Sequence, residues 1–413
     1  MDIVCPIDVK CTSEIAALLQ PAHPHQLQDY FDVLINRSGS VINVVQNGKF
    51  GKGVHASIDF KEGEAVLKDE MLVGVQHAAN KMDCLVCSFC FRFIGSLELQ
   101  IGRRLYFQSL VNYGNQTFGE CSNAMACEEK NHEHSGDDES VEEDERKGKP
   151  NFPEEIVQSL LNGTLSLPYS SKFSLPSLVP CLGGCAEAYY CSELCAKRDW
   201  DASHSLLCLG EESRREALTD FMQHANETND IFHLAAKTIS STILRYKRLK
   251  DTLAEENLFS LLLEAWKPFS SGYKKRWWDC ISLPDDIESS EESAFRMDVK
   301  DLAFTSLKLL KAAIFDQECE PLFSLEVYGS IIGMFELNNL DLVVASPIHD
   351  YFHFIGELPQ KEKGEAEKVT QAIFEGLEDY SVGCEGTAFY PLQSCMNHSC
   401  CPNAMAFKRE EVI

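Results

Sequence analysis

The chain has 413 residues, 44% of them hydrophobic, with 64 acidic against 37 basic side chains and a formal net charge of −27. A length on this scale suits two or three domains, and so acidic a field excludes nucleic-acid binding through overall charge while it suits a Lys/Arg-rich protein partner. No run approaches the roughly 18 apolar residues of a membrane span, and the opening MDIVCPIDVKCTSEIAALLQ, broken by Pro6, Asp8, Lys10 and Glu14, lacks the form of a signal peptide.

Residues 1–40 are mixed in character and form an N-terminal extension with no definite element. From 41 the pattern turns strand-like: VINVV, GKFGKGVHAS and AVLKDEMLVGV cluster β-branched residues around glycines. A cysteine-rich module follows over 84–208. It is interrupted by ninety residues, 91–180, which hold the apolar segment LYFQSLVNY and an acidic run with ten Asp or Glu among the eighteen residues Glu128–Glu145. That run has no aromatic residue and is expected to be solvated and disordered. Pro153-Glu-Glu ahead of IVQSLL, with Asn162-Gly163 behind, carries helix start and stop signals. Apolar residues then recur at spacings of three and four over 212–226, 230–250, 253–267 and about 297–314, which predicts a helical insert over 209–325. From 326 to the end the text reads as short strand-like pieces.

There are eighteen cysteines. In a chain without a secretion signal, clustered cysteines point to metal before disulfides, and the Asn-x-Ser/Thr matches at Asn36, Asn115, Asn162, Asn226 and Asn397 count as chance. The cluster reads Cys87-x2-Cys90, Cys181-x3-Cys185, Cys191-x3-Cys195 and His204-x3-Cys208. Pairs two to four residues apart reach one ion because a tight turn brings both side chains to the same side. Eight such ligands make two closed structural zinc sites, with no coordination position left open for catalysis. Cys84-x2-Cys87 is a rival first pair. Cys5, Cys11, Cys121, Cys127, Cys280, Cys319, Cys384 and Cys395 show no paired metal spacing.

Cys191-Ser-Glu-Leu-Cys195 after Tyr189-Tyr190, then Trp200, His204 and Cys208, resembles the MYND-type zinc finger. In that family the pairs interleave, which implies Cys87, Cys90, Cys191 and Cys195 on one ion and Cys181, Cys185, His204 and Cys208 on the other. Phe91 after Cys90 also matches the family and favours the Cys87/Cys90 pair. A long insertion between ligand pairs costs little, because loop closure scales slowly with length.

Near the end stands Asn397-His398-Ser399-Cys400, and far upstream Gly51-Lys52-Gly53-Val54-His55-Ala56 followed by Gly63-Glu64. These resemble the SET domain of protein-lysine methyltransferases. Together with the inserted finger they resemble the SET-MYND family, most closely its plant trithorax-related members. The resemblance implies an α+β chain. A β-rich SET domain would be built from 41–83 and 326–413, interrupted by the finger and the helical insert. It implies S-adenosylmethionine as cofactor, with Gly51 and Gly53 letting the backbone approach it, Lys52 along its carboxylate, Asn397 and His398 on the adenosyl part, and Asn338 as a further contact. It implies a lysine-bearing protein substrate such as a histone tail, proline-containing peptides on the finger, and a chromatin-regulating enzyme in the nucleus, with the cytoplasm as a second compartment.

In that family a tyrosine beside the methyl-transfer path, and three cysteines that join the motif cysteine on a third zinc, follow Asn-His-Ser-Cys. The sequence ends at Ile413, thirteen residues after Cys400. The resemblance therefore implies a C-terminally incomplete SET domain with no catalytic residue in this chain, weak or absent turnover, and two zinc ions rather than three. A second class of function, a non-catalytic MYND/SET interaction scaffold, is separated from the first by whether S-adenosylmethionine binds.

Overall fold

The structure, a computed structural model, describes residues 4–21, 23–47, 51–117, 152–253, 257–377 and 379–405. The acidic run Glu128–Glu145, Cys121 and Cys127 lie outside the described residues.

Three helices open the chain: α1 (Pro6–Lys10), α2 (Thr12–Leu19) and α3 (Pro24–Ser38). Gly39 ends α3 at φ +65°, a left-handed position where a side chain would meet the backbone. Cys5, Ile7, Ile15 and Leu18 are buried in the main core, and Asp8 accepts a hydrogen bond from the Ser324 hydroxyl at 2.6 Å. Of the stretch expected as an extension, α1 and α2 thus pack into the main core, and Phe31 of α3 into a smaller cluster with Val44. Strands β1 (Ile42–Asn47) and β2 (Gly51–Ala56) form an antiparallel hairpin in which Val45 pairs with Gly53 and Asn47 with Gly51. Of the strand-like 65–75, only its end is a strand, β3 (Val73–Gln76).

Within the insertion, LYFQSLVNY belongs to α4 (Leu97–Thr117), and the segment after Pro153 forms α5 (Glu154–Leu161). The cysteine module continues with the antiparallel pair β4 (Val179–Pro180) and β5 (Tyr189–Tyr190), then α6 (Glu193–Asp199), a π-helical turn over Trp200–His204 and the short α7 (Ser205–Leu207). Over 209–325, where helical periodicity is expected, stand α8 (Glu212–Thr228), α9 (Ile231–Thr252), α10 (Leu258–Ser270), α11 (Trp277–Cys280) and α12 (Glu292–Ile314). Phe232, Leu234, Ile239, Ile243 and Tyr246 line the buried face of α9 at the centre of the main core, each such side chain contributing about 1.5–3 kcal/mol when removed from water.

After 326 the expectation of strands fails over most of the segment. Helix α13 (Leu325–Asn338) is followed by β6 (Leu340–Val344), α14 (Pro347–Glu357), α15 (Gln360–Gly376) and β7 (Cys384–Phe389). Val327, Ile331 and Ile332 read as strand by propensity and Gly329 and Gly333 as its punctuation, yet α13 is buried nearly all round and so shows no amphipathic period. The two glycines serve close packing instead. A Cβ on Gly333 would lie 1.9 Å from the Lys275 carbonyl oxygen, and one on Gly329 2.4 Å from the Trp278 ring. Ser324 and Ser346 cap α13 and α14 by accepting from Val327 N–H and Ile348 N–H. β7 pairs antiparallel with both β3 and β6 in a three-stranded sheet of order β3-β7-β6. The chain is α+β as expected, but helices rather than strands predominate.

The two interruptions meet. α4 and α5 from the finger's insertion pack against α14 and α15, which interrupt the chain between β6 and β7, and Leu97, Ile101, Leu160, Tyr351, Ile355 and Ile373 form their own buried cluster.

Candidate metal centres and cofactor site

Cys87 and Cys90 sit on a tight turn in which Phe91 N–H donates to Cys87 O and Cys87 N–H donates to Arg92 O, both at 2.8 Å, with Phe91 at φ +61°. Ser88 N–H donates to Tyr189 O at 2.9 Å. That bond ties the first pair to β5 across the insertion. Ser192 caps α6 by accepting from Cys195 N–H at 3.1 Å, which orients Cys195 toward Cys191. The sulfurs of Cys87, Cys90, Cys191 and Cys195 then lie within 4.8 Å of one another, and so do the ligand atoms of Cys181, Cys185, His204 and Cys208.

The separations suit zinc. A tetrahedron with Zn–S bonds of about 2.3 Å has sulfur–sulfur edges of about 3.8 Å. The observed Sγ–Sγ distances are 3.6 Å for Cys90–Cys191, 3.5 Å for Cys191–Cys195 and 3.6 Å for Cys181–Cys208. His204 Nε2 lies 3.1 Å from Cys181 Sγ and 3.4 Å from Cys185 Sγ. Burial pushes the Cys185 thiol up to about 12 and the Cys191 thiol up to about 11, and lowers His204. Raised Cys185 and Cys191 thiols give up their protons on binding a cation, so metal binding there releases protons. Both clusters can hold a metal ion, and a thiolate/imidazole donor set points to zinc.

Cys84 lies apart from both clusters. Its thiol donates to Gly383 O at 3.2 Å and receives Asn80 Nδ2 at 3.8 Å, and burial raises it to about 12. Sequence reasoning missed three supports of the finger. Gly183 N–H and Gly210 N–H donate to Cys181 and Cys208 sulfurs at 3.3 and 3.4 Å. The two glycines also approach so closely that a Cβ on Gly210 would meet Gly183 O at 1.8 Å. Buried Tyr190 donates its hydroxyl to Asp199 at 2.8 Å, bracing α6 on β5. The glycines were visible beside ligand cysteines, but nothing local marks the Tyr190–Asp199 pair.

Of the expected cofactor residues, Asn397 meets the Gly51-Lys52-Gly53 stretch of the β1–β2 hairpin, whereas Asn338 bonds elsewhere and His398 shows no contact with the hairpin among the described residues. Gly51 has φ +70° and open space for 4 Å around the place a methyl would occupy, whereas a Cβ on Gly53 would come within 3.0 Å of Asn397 Nδ2. Asn397 Nδ2 donates to Lys52 O at 3.2 Å. Lys52 Nζ donates to Ser271 O and lies 5.8 Å from the Phe31 ring centre. Asn338 does not reach the hairpin: its amide donates to Tyr273 O at 2.8 Å and accepts from Tyr273 N–H at 3.1 Å, so it clamps the 271–276 loop that carries Ser271. His398 is exposed, with Nε2 3.5 Å from Cys400 Sγ.

Burial lowers Lys52 and lowers Lys274 further, to about 7, with repulsion from Lys52 adding to the effect. Neither lysine forms an ion pair among the described residues; Lys274 Nζ lies 5.6 Å from the Trp266 ring centre. No helix among the described residues is long and apolar enough to cross a membrane.

The MYND finger family matches residues 172–208. Cys87 and Cys90 fall outside that match, and it is the fold that brings them to it. The chain is 57% identical over 422 aligned positions to histone-lysine N-methyltransferase ATXR2 of Arabidopsis thaliana, covering 100% of this chain and 88% of that protein. Protein-lysine N-trimethyltransferase SMYD5 of Gallus gallus is 25% identical over 261 residues, 61% of this chain and 58% of its own length. The Danio rerio protein of the same name is 22% identical over 231 residues, 53% of this chain and 51% of its own length. No solved structure matches. Full-length identity at this level, a matched finger and two assembled ligand clusters lead to one conclusion: the chain belongs to the SET-MYND family of protein-lysine methyltransferases.

Proposed function

We propose that the protein is an S-adenosylmethionine-dependent histone-lysine N-methyltransferase. The observation that carries this reading is the bond from Asn397 to Lys52 O, which joins the Asn-His-Ser-Cys segment to the Gly51-Lys52-Gly53 hairpin. Gly51 leaves the hairpin backbone open to a ligand and Gly53 admits Asn397 beside it, Lys52 complements the cofactor's carboxylate, and Asn397 and His398 face its adenosyl part. Asn338 acts one step back, by holding the loop that receives Lys52. The chemistry that the cofactor supplies when bound is a methyl group on a sulfonium for attack by a lysine ε-amine; the work of this chain is to position it.

In this reading Cys87, Cys90, Cys191 and Cys195 bind one structural zinc ion, and Cys181, Cys185, His204 and Cys208 a second. The finger over 84–208 takes proline-containing peptides. The SET parts are 41–83 and 326–413, with the helical insert over 209–325. A lysine-rich histone tail suits the acidic chain, and such a substrate puts the protein in the nucleus as a chromatin regulator.

The test is transfer of tritium from labelled S-adenosylmethionine to core histones, with cofactor binding followed by calorimetry. Cofactor binding that weakens at least tenfold in Asn397→Ala is expected, with any transferred label found on lysine. A chain that binds no cofactor at any concentration tried refutes the reading.

A further inference from the structure

The segment Tyr390–Met396 is a compact turn that leads directly into Asn397. Ser394 N–H donates to Tyr390 O at 2.9 Å, Cys395 N–H to Leu392 O at 3.0 Å and Met396 N–H to Gln393 O at 2.9 Å. Like any helical turn, it leaves its first N–H groups without an internal partner. Those groups are Leu392 N–H and Gln393 N–H. Both donate to the same oxygen, Oδ2 of Asp69, at 2.8 and 2.9 Å. Asp69 lies over 320 positions away in sequence, between β2 and β3.

Leu392 and Cys395 are buried against Phe31 and Val44, with Leu67 beside them. The far side of the turn is thereby fixed by apolar packing, and the near side by one carboxylate. Two charge-assisted bonds converging on one oxygen add a directional polar anchor to that packing. What the turn delivers is Asn397, whose amide reaches Lys52 O at 3.2 Å and whose Nδ2 stands 3.0 Å from the place a Cβ of Gly53 would occupy. The tolerance there is a few tenths of an ångström.

We propose that Asp69 is a positioning residue for the cofactor contact, holding the 390–396 turn so that Asn397 meets the Gly51-Lys52-Gly53 hairpin. This rests on the cofactor reading given above. Asp69 itself touches neither cofactor nor substrate; it acts through Asn397.

The experiment is a double-mutant cycle on binding of S-adenosylhomocysteine to the full chain, read by calorimetry. Asp69→Ala is expected to weaken binding about tenfold in the wild-type background, the scale of losing charged hydrogen bonds, and less than threefold in the Asn397→Ala background. Equal losses in both backgrounds, or wild-type affinity for Asp69→Ala, overturn the proposal. If Asp69→Ala does not fold, Asp69→Ser takes its place, because its hydroxyl falls one bond short of the two N–H groups; the same outcomes apply. Failure of the wild-type chain to bind S-adenosylhomocysteine at all is a different result and counts against the cofactor reading instead.

Discussion

Asn397 donates its side-chain amide to the carbonyl oxygen of Lys52 at 3.2 Å, across 345 positions of sequence. The two segments that carry the methyltransferase resemblance thus form one edge, and Gly53 is the residue that allows it. A methyl group there meets Asn397 Nδ2 at 3.0 Å, so Gly53→Ala is expected to push the amide away and weaken S-adenosylhomocysteine binding about tenfold. Gly51→Ala meets no atom of the described residues but must hold φ +70°, at a cost of roughly 1–2 kcal/mol in stability. Calorimetry and denaturant titration separate the two effects.

The 271–276 loop reaches the hairpin because α13 presents glycine to it. Gly333→Ala puts a methyl 1.9 Å from Lys275 O and is expected to destabilise the chain by about 1–3 kcal/mol through overpacking. Cofactor affinity should fall with it, since the loop is clamped by Asn338 and receives Lys52. Gly364→Ala on α15 has open space around the new methyl and is expected to stabilise by up to about 1 kcal/mol. Urea denaturation of both variants checks the contrast.

Lys274 sets a pH dependence. Burial first, and Lys52 second, depress it from the usual 10.5 to about 7. A lysine lowered on folding contributes stability that is present above pH 10.5 and lost as pH falls through about 7, because below that the folded state must accommodate the charge. Lys274→Met is therefore expected to gain stability over wild type progressively from pH 10.5 down to 7 and hold a constant advantage below. A difference that is flat across that window contradicts this assignment.

Metal analysis distinguishes the two clusters. Two zinc ions per chain are expected, falling to about one in Cys195→Ser and to about one in Cys208→Ser, while Cys84→Ser keeps both. Loss of an ion in Cys84→Ser would place that thiol in a cluster rather than on Gly383 O.

The two Cys/His groupings were legible in the sequence, and the residues show why much else was not. Ligand spacings such as Cys191-x3-Cys195 are set by a single turn, so local text carries them. The amphipathic helices around Ile231–Thr252 show their period for the same reason. Helix α13 has no polar face to reveal it, and its glycines mimic strand punctuation while serving Trp278 and Lys275. Asp69 and Leu392, Asn338 and Tyr273, and Tyr190 and Asp199 are pairings that only the fold creates. The union of α4 and α5 with α14 and α15 is likewise tertiary: each insertion leaves an apolar face that the other covers.

The central claim is that the hairpin and the Asn-His-Ser-Cys segment form one cofactor site, and titration of S-adenosylhomocysteine into the wild-type chain and Asn397→Ala tests it most directly. One-site binding by wild type, weakened at least tenfold by Asn397→Ala with zinc content unchanged, is the expected result. Absence of binding, or equal affinity in the two proteins, contradicts it.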